Sequence, residues 1–224
     1  MVLDAIHAYL RMAQLQLHAL VEFYEHTRAS FDCRLNAFER KAEGKPESYW
    51  NESVGSGLTR SDIASEEHGK LEELAALNGY FGVLSAYATL DSFLYQTFEY
   101  AKMHKMPVPP AFQNKRSLDL VGYKDVLKAC GVDISKPTKY EELIKLRDIR
   151  NTIAHYGGWV EPEMENSLRK YKFKVGSKIK ISDGYFRSSV GLVKTTCQQI
   201  TKLFVEQLEL LECERKKRPT RKSK

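Results

Sequence analysis

Apolar residues recur every three or four positions through the first 43 residues, which predicts one long helix with a single stripe facing a core. That span contains no proline, and Gly44 followed by Pro46 ends it. Because such a helix is longer than most helices of globular proteins, we expect one end to project or to contact a partner. The stripe consists of Leu3, Ile6, Leu10, Ala13, Leu17, Leu20, Tyr24, Phe31, Leu35 and Phe38.

Further helices are predicted from the same periodicity. Residues 44–70 are rich in Gly, Ser and Asn and predict mostly loop, with a second helix from about Ser65 to about Lys105, before the breaker MPVPPAF. Thr138 and Glu141 have the spacing of a capping box at the start of a later helix. The remaining predicted helices cover residues 118–129, 138–155 and 188–214.

Between the last two predicted helices the period changes from helical to alternating. Lysines alternate with apolar residues on both sides of Gly176-Ser177, which predicts a two-stranded β-hairpin with one apolar and one basic face. The sequence therefore predicts an all-α fold: one domain over residues 1–214, a helical bundle of four to five helices, with a small β-hairpin insertion at about 170–186, before the last helix. The lysines are Lys172, Lys174, Lys178 and Lys180.

The formal net charge of +6 is local. Residues 215–224 hold seven of the 35 Lys and Arg residues and no acid, which leaves 28 basic against 29 acidic residues elsewhere. We predict a disordered basic tail there, and two interpretations stay open: a solvated end, or a non-specific contact to RNA, DNA or an acidic partner.

Composition narrows the class of protein. No apolar run approaches the roughly 18–20 residues needed to span a membrane, and the N-terminus lacks the basic start and cleavage site of a signal peptide. Four widely spaced cysteines fit neither a disulfide framework nor a zinc site. We therefore expect a cytoplasmic protein with reduced thiols, no membrane association, no metal site and no cofactor.

The segment KLRDIRNTIAHYGGWV, residues 145–160, carries the candidate chemistry. On a helical wheel Arg147, Asn151 and His155 stand at i, i+4 and i+8 and share one face, with Arg150 beside them. We call these four residues the strip. The opposite stripe, which we expect to be buried, consists of Leu143, Leu146, Ile149 and Ile153.

These residue types suit cleavage of a phosphodiester. A histidine can take the proton of an RNA 2′-hydroxyl or give one to a leaving oxygen, and arginine can stabilise the charge that develops on phosphorus. An asparagine can orient the histidine or hold the sugar. One chain supplies one such histidine, however, whereas acid and base are best filled by two groups, so we expect a two-fold dimer.

A purely structural interpretation of the same residues stays open. A histidine at the end of a helix can interact with the last carbonyl groups. Either arginine can pair on the surface with Asp148, Glu141 or Glu142.

RNTIAH, residues 150–155, resembles the Arg-polar-x-x-x-His signature of the HEPN superfamily (higher eukaryotes and prokaryotes nucleotide-binding). The resemblance implies an all-helical, dimeric, metal-independent endoribonuclease of the kind found in toxin–antitoxin and antiphage defence systems. It further implies Arg150 and His155 as the catalytic pair, with Asn151 as the polar residue between them. Implied partners are RNA, a second copy of the chain, and possible antitoxin or defence-system proteins. The insert of residues 159–186 departs from a minimal domain of this type.

The alternative is a non-catalytic HEPN-like module that binds RNA, a nucleotide or a partner protein through the same strip. A further interpretation makes the first and last helices a scaffold for a larger assembly. Weaker RNA-binding candidates are Arg147 and the four lysines, for which a solvated edge is the simpler interpretation. Tyr156 and Trp159 are interpreted as core residues, with base stacking as the alternative.

Overall fold

The computed structural model describes residues 2–55, 57–135 and 139–217. In this part of the chain the structure is helical, with short connections, and the all-α prediction is confirmed. Two single-turn 3₁₀ helices, Pro162–Met164 and Arg169–Tyr171, flank the short α-helix Glu165–Leu168. The α-helices are α1 (Val2–Ala42), α2 (Glu47–Trp50), α3 (Arg60–Met103), α4 (Pro110–Gln113), α5 (Leu120–Ala129), α6 (Tyr140–Tyr156), α7 (Glu165–Leu168) and α8 (Asp183–Lys217).

Among the helices described, α1 and α3 share the most extensive contact. Most of the predicted stripe of α1 is buried from Ile6 to Tyr24, with Leu10 partly buried, but beyond Tyr24 its members are all only partly buried: Phe31, Leu35 and Phe38. Beyond Tyr24 the pair therefore continues as a two-helix arm past the body of the bundle. This agrees with the expectation that one end of the long first helix projects.

The core lies where α3 packs against α5, α6 and α8. Tyr24 of α1 stacks on Phe186 of α8 with ring centroids 3.9 Å apart, and Phe98 meets Tyr123 edge to face at 6.2 Å. A Cβ at Gly82 would lie 2.7 Å from the Phe186 ring, so a glycine is needed for this close approach of α3 and α8. Burial of such large aromatic side chains is the main stabilising contribution to the body.

Helix α3 begins at Arg60, five residues before the predicted start. Thr59 caps it: its backbone N–H donates to Asp62 Oδ2 at 2.8 Å, and the Asp62 N–H donates to Thr59 Oγ1 at 3.2 Å. This capping box satisfies backbone donors that the exposed loop would otherwise leave to water. Only part of the segment 44–70 is therefore loop.

The predicted β-hairpin at about 170–186 is wrong. Residues up to Tyr171 form short helical turns, and Lys172 has a φ of +65° in the left-handed region. A strand cannot continue through that conformation, because its backbone groups no longer point at a neighbouring strand. The alternation of apolar and polar residues survives as alternating burial, with Ile179 buried and Lys178 and Lys180 exposed.

Residues 176–179 instead lie beside the segment that follows α6. The contact buries Val160 and Ile179 and forms a single bridge between Trp159 and Lys178. One other isolated bridge, and no strand, occurs in the described residues. Three backbone hydrogen bonds of 2.8–3.0 Å join the two segments: from Val160 to Ser177, from Gly176 to Val160 and from Ile179 to Gly158.

Helix α8 starts at Asp183, before the predicted residue 188, and runs through Lys217, past the predicted end at residue 214. The predicted basic tail of residues 215–224 thus begins inside the helix, and residues 218–224 lie outside the described part of the chain. Thr138 of the proposed capping box also lies outside it. None of the described helices contains an apolar stretch sufficient to cross a lipid bilayer.

Candidate functional site

Helix α6 carries the candidate site and is held on two sides. Its predicted stripe is buried against the bundle, as expected: Leu143, Leu146, Ile149 and Ile153 are at most 6% exposed. A second side is covered by the insert, where Thr152 Oγ1 lies 3.2 Å from Met164 Sδ. The arc between these sides carries the strip.

The end of α6 is fixed by glycines, as the sequence predicts. Gly157 has a φ of +59°, and the N–H groups of Gly157 and Gly158 both donate to the Thr152 carbonyl. Gly158 has a φ of +88° and packs so closely on Tyr80 that any Cβ there would collide with its hydroxyl. The Tyr80 hydroxyl donates to the Ile179 carbonyl at 2.6 Å, which ties the helix end to α3 and to the insert.

Arg147 is engaged in an ion pair. Its Nε and Nη2 donate to Asp148 Oδ1 at 3.1 and 2.9 Å, and Asp148 is 5% exposed. Burial alone would lower the pKa of Arg147 and is the largest single effect, but the hydrogen bonds to Asp148 and the negative charge of that carboxylate, with smaller contributions from Tyr87 and Asp119, together raise the pKa. The pairing with Asp148 that the structural interpretation considered is present, and its acid is buried rather than on the surface.

Arg150 points toward α3 and has no carboxylate within ion-pairing distance among the described residues. Its Nη1 donates to Asn151 Oδ1 at 2.9 Å, and its guanidinium carbon lies 5.7 Å from the centre of the Tyr87 ring. Asp91, one turn further along α3, is within reach of its charge. Desolvation raises the pKa of Asp91, and the positive charge of Arg150 opposes that shift.

His155 is exposed and makes no hydrogen bond or ion pair with another described residue. Its ring lies 6.4 Å from that of Tyr156, edge to face. The backbone N–H groups of the two glycines, rather than this imidazole, complete the helix end. Both ring nitrogens are therefore available to a ligand.

Arg150 and His155 do not converge within one chain. Five residues on an α-helix correspond to a rotation of about 140° and a rise of about 7.5 Å, and Arg150 leans toward Tyr87. The strip also lies on open surface. The five surface cavities that we describe, of about 250 to 580 Å³, are formed by other residues.

The weaker candidates fall in different places. Tyr156 and Trp159 are 38% and 48% exposed, so the interpretation of these two as core residues is wrong. Lys178 lies beside Trp159, with its Nζ 5.9 Å from the ring centre. Lys180 lines a cavity of about 530 Å³ with the arm. Lys172 and Lys174 are exposed. Because the hairpin is absent, the four lysines do not lie on one face of a strand pair.

Two residues beside the strip were not found from the sequence. Tyr87 and Asp91 stand one turn apart on α3 and face Arg150. Burial raises the pKa of Tyr87 far above its usual value, with Asp91 adding to this shift and both strip arginines opposing it, so the phenol stays neutral. Their i, i+4 spacing was visible in the sequence, but no sequence pattern indicates that this part of α3 packs beside α6.

The strip thus offers one free imidazole, one guanidinium bound only by a neutral amide and an aromatic face, and one arginine neutralised by a carboxylate. The first two can bind an anion and move a proton. In the described residues no group of three or more His, Cys, Asp or Glu is arranged to hold a metal ion.

No protein-family model, curated protein sequence or solved structure matches the chain.

Proposed function

We propose that the protein is a metal-independent endoribonuclease of HEPN type, acting as a toxin or antiphage effector through a cleft shared by two copies. The observation that carries the proposal is the free, exposed imidazole of His155 at the rigid end of the helix that also bears Arg150. An exposed histidine without a partner contributes little to folding, so we explain its presence on a helix that also bears an arginine without a carboxylate partner by a ligand.

In the proposed reaction the RNA 2′-oxygen attacks the adjacent phosphorus and the bond to the 5′-oxygen breaks. One His155 accepts the proton of the 2′-hydroxyl, and the His155 of the partner subunit gives a proton to the leaving 5′-oxygen. The products are a 2′,3′-cyclic phosphate and a free 5′-hydroxyl, so atoms and protons balance. Arg150 stabilises the charge on the non-bridging oxygens, and Asn151 holds the Arg150 side chain.

The geometry of one chain supports the proposal of a second copy. Arg150 and His155 leave α6 in directions about 140° apart, and a single histidine cannot serve as acid and base in the same step. A two-fold axis beside the strip would bring duplicate groups to one phosphate. Solution mass by light scattering tests this part: we expect a dimer, and a strict monomer at assay concentration would contradict the shared cleft.

A second candidate function is supported by the open position of the strip. Binding modules use exposed cationic and aromatic residues without enclosing a reacting group, and the strip lies outside the cavities described above. In that case the chain is a non-catalytic module that binds RNA, a nucleotide or a partner protein.

Cleavage of a defined RNA by the purified full chain in EDTA separates the two candidates. We expect fragments that end in a 2′,3′-cyclic phosphate, and no cut where the scissile nucleotide carries 2′-deoxyribose, because the nucleophile is then missing. Binding of intact RNA without any fragment would support the module. Fragments that appear equally with the 2′-deoxy substrate would contradict the proposed chemistry.

A further inference from the structure

Trp159 is a large aromatic side chain held on the surface by a rigid backbone. Trp159 is 48% exposed. Its backbone N–H donates to the Tyr156 carbonyl at 3.0 Å, and its two neighbours in the chain, Gly158 and Val160, are hydrogen-bonded through their backbones to residues 176–179. Since an exposed tryptophan gives little to the core, a fixed backbone that presents one to solvent is typical of a binding surface.

The surroundings of the indole combine a second exposed ring with a cation. Lys178 lies opposite Trp159 in the isolated bridge, with its Nζ 5.9 Å from the indole centre and 6.0 Å from the Tyr80 ring. Tyr156 is 38% exposed and contacts the His155 ring edge to face. An exposed aromatic ring next to a positive charge is complementary to a nucleobase followed by its phosphate.

We propose that Trp159 and Lys178 form a stacking platform for one unpaired base of a single-stranded RNA, with the phosphate of that nucleotide bound by Lys178. The inference rests on the proposed function, because Trp159 follows His155 by four residues and the platform then holds a nucleotide next to the scissile one. It adds a requirement that the cleavage chemistry does not contain: the substrate must be unpaired at this position.

The sequence contains two tryptophans, so a Trp50→Phe chain leaves Trp159 as the sole indole reporter. Its fluorescence is titrated with 2′-O-methyl oligonucleotides, which bind but cannot be cleaved by a 2′-hydroxyl mechanism. We expect quenching by a single strand, and little or none by the same strand in a duplex or by an abasic strand of equal length. Quenching that is the same for all three, or absent, overturns the platform.

Affinity measurements on variants give a second test of the proposal. Trp159→Leu should weaken single-strand binding by about 5- to 100-fold, and Trp159→Phe should retain most of it, because stacking on one base is sequence-tolerant and depends on the ring. Lys178→Gln should weaken binding less and lower the salt dependence by about one phosphate contact. The matched control Lys202→Gln, at an exposed lysine of α8, should leave both unchanged. Equal binding by Trp159→Leu and the unsubstituted chain would contradict the proposal.

The two proposals fail in different ways. If the RNase proposal is wrong and the platform is right, quenching persists while unmodified RNA stays intact. If the platform is wrong and the RNase proposal is right, RNA is cleaved while Trp159→Leu binds as tightly as before. A Trp159 signal that responds to protein concentration and not to oligonucleotide would place the indole in a contact between copies, and would also overturn the platform.

Discussion

Within the single helix α6, Arg147 and His155 stand two turns apart and differ in their burial and in their polar contacts. Arg147 is half-buried and donates two hydrogen bonds to the buried carboxylate of Asp148, while His155 is exposed and has no polar partner in the described chain. Arg150 is intermediate in its contacts: it donates to the neutral amide of Asn151 and lies over the Tyr87 ring, but it has no carboxylate partner among the described residues. The comparison separates side chains that hold the fold from those left available to a ligand.

Replacing the two arginines one at a time tests this comparison most strongly. Arg150→Ala should lower RNA cleavage by about 10²–10³-fold with little change in Tm, because its charge acts on the transition state and not on a buried acid. Arg147→Ala should change cleavage only slightly and lower the Tm, because Asp148 loses its partner. Single-turnover cleavage and thermal unfolding of both variants give the comparison. The reverse pattern, with Arg147 essential for cleavage and Arg150 for stability, would refute the assignment.

The glycine pair at the end of α6 gives the next largest effect. Gly158→Ala should destabilise the chain by about 2–4 kcal/mol, because it adds a left-handed alanine and a clash with Tyr80. Gly157→Ala is the matched control, since its φ is also positive but nothing lies within 4 Å of its Cβ, and about 1–2 kcal/mol is expected. Denaturant unfolding measures both. Equal losses of unfolding free energy would mean that the Tyr80 side chain moves aside for the added methyl group and does not fix the helix end.

Removing the charge of Asp148 should have a smaller effect. Asp148→Asn should cost about 1–3 kcal/mol of unfolding free energy, because a charged hydrogen-bond acceptor is lost beside a half-buried arginine. The control is Asp125→Asn, whose carboxylate lies 3.6 Å from Lys124 at the surface and should contribute well under 1 kcal/mol. Denaturant unfolding of the two variants checks this. A loss for Asp148→Asn no greater than that of the control would remove the distinction between the paired and the free part of α6.

Periodicity was sufficient to predict the helical parts of the fold. The stripe of α6, its end at the two glycines and the long first helix depend on local spacing, and the structure confirms them. The start of α3 was missed because the Thr59–Asp62 capping box is separated from the apolar pattern by a polar first turn. Weak apolar periodicity there did not reveal a helix whose beginning depends on capping.

The insert could not be predicted by the same means. The sequence of the insert does alternate, but residues 176–179 are hydrogen-bonded to residues 158–160 after α6, and in the described chain they meet residues 171–175 only in a turn from Ser177 to Lys174. Which segments pair is a tertiary property. The same limit applies to the site. The strip residues on α6 followed from spacing, whereas Tyr87 and Asp91 come from a helix more than 50 positions earlier and are brought to Arg150 only by packing.

The free imidazole of His155 is the group on which the proposed cleavage depends most, and its removal is the most direct test. Single-turnover cleavage of one RNA in EDTA should fall by about 10²–10⁴-fold in His155→Ala with the Tm unchanged. His18→Ala, in which an exposed histidine on α1 loses its contact of 3.3 Å with Glu22, should cleave at the original rate. Cleavage by His155→Ala at the rate of the unsubstituted chain would contradict the account.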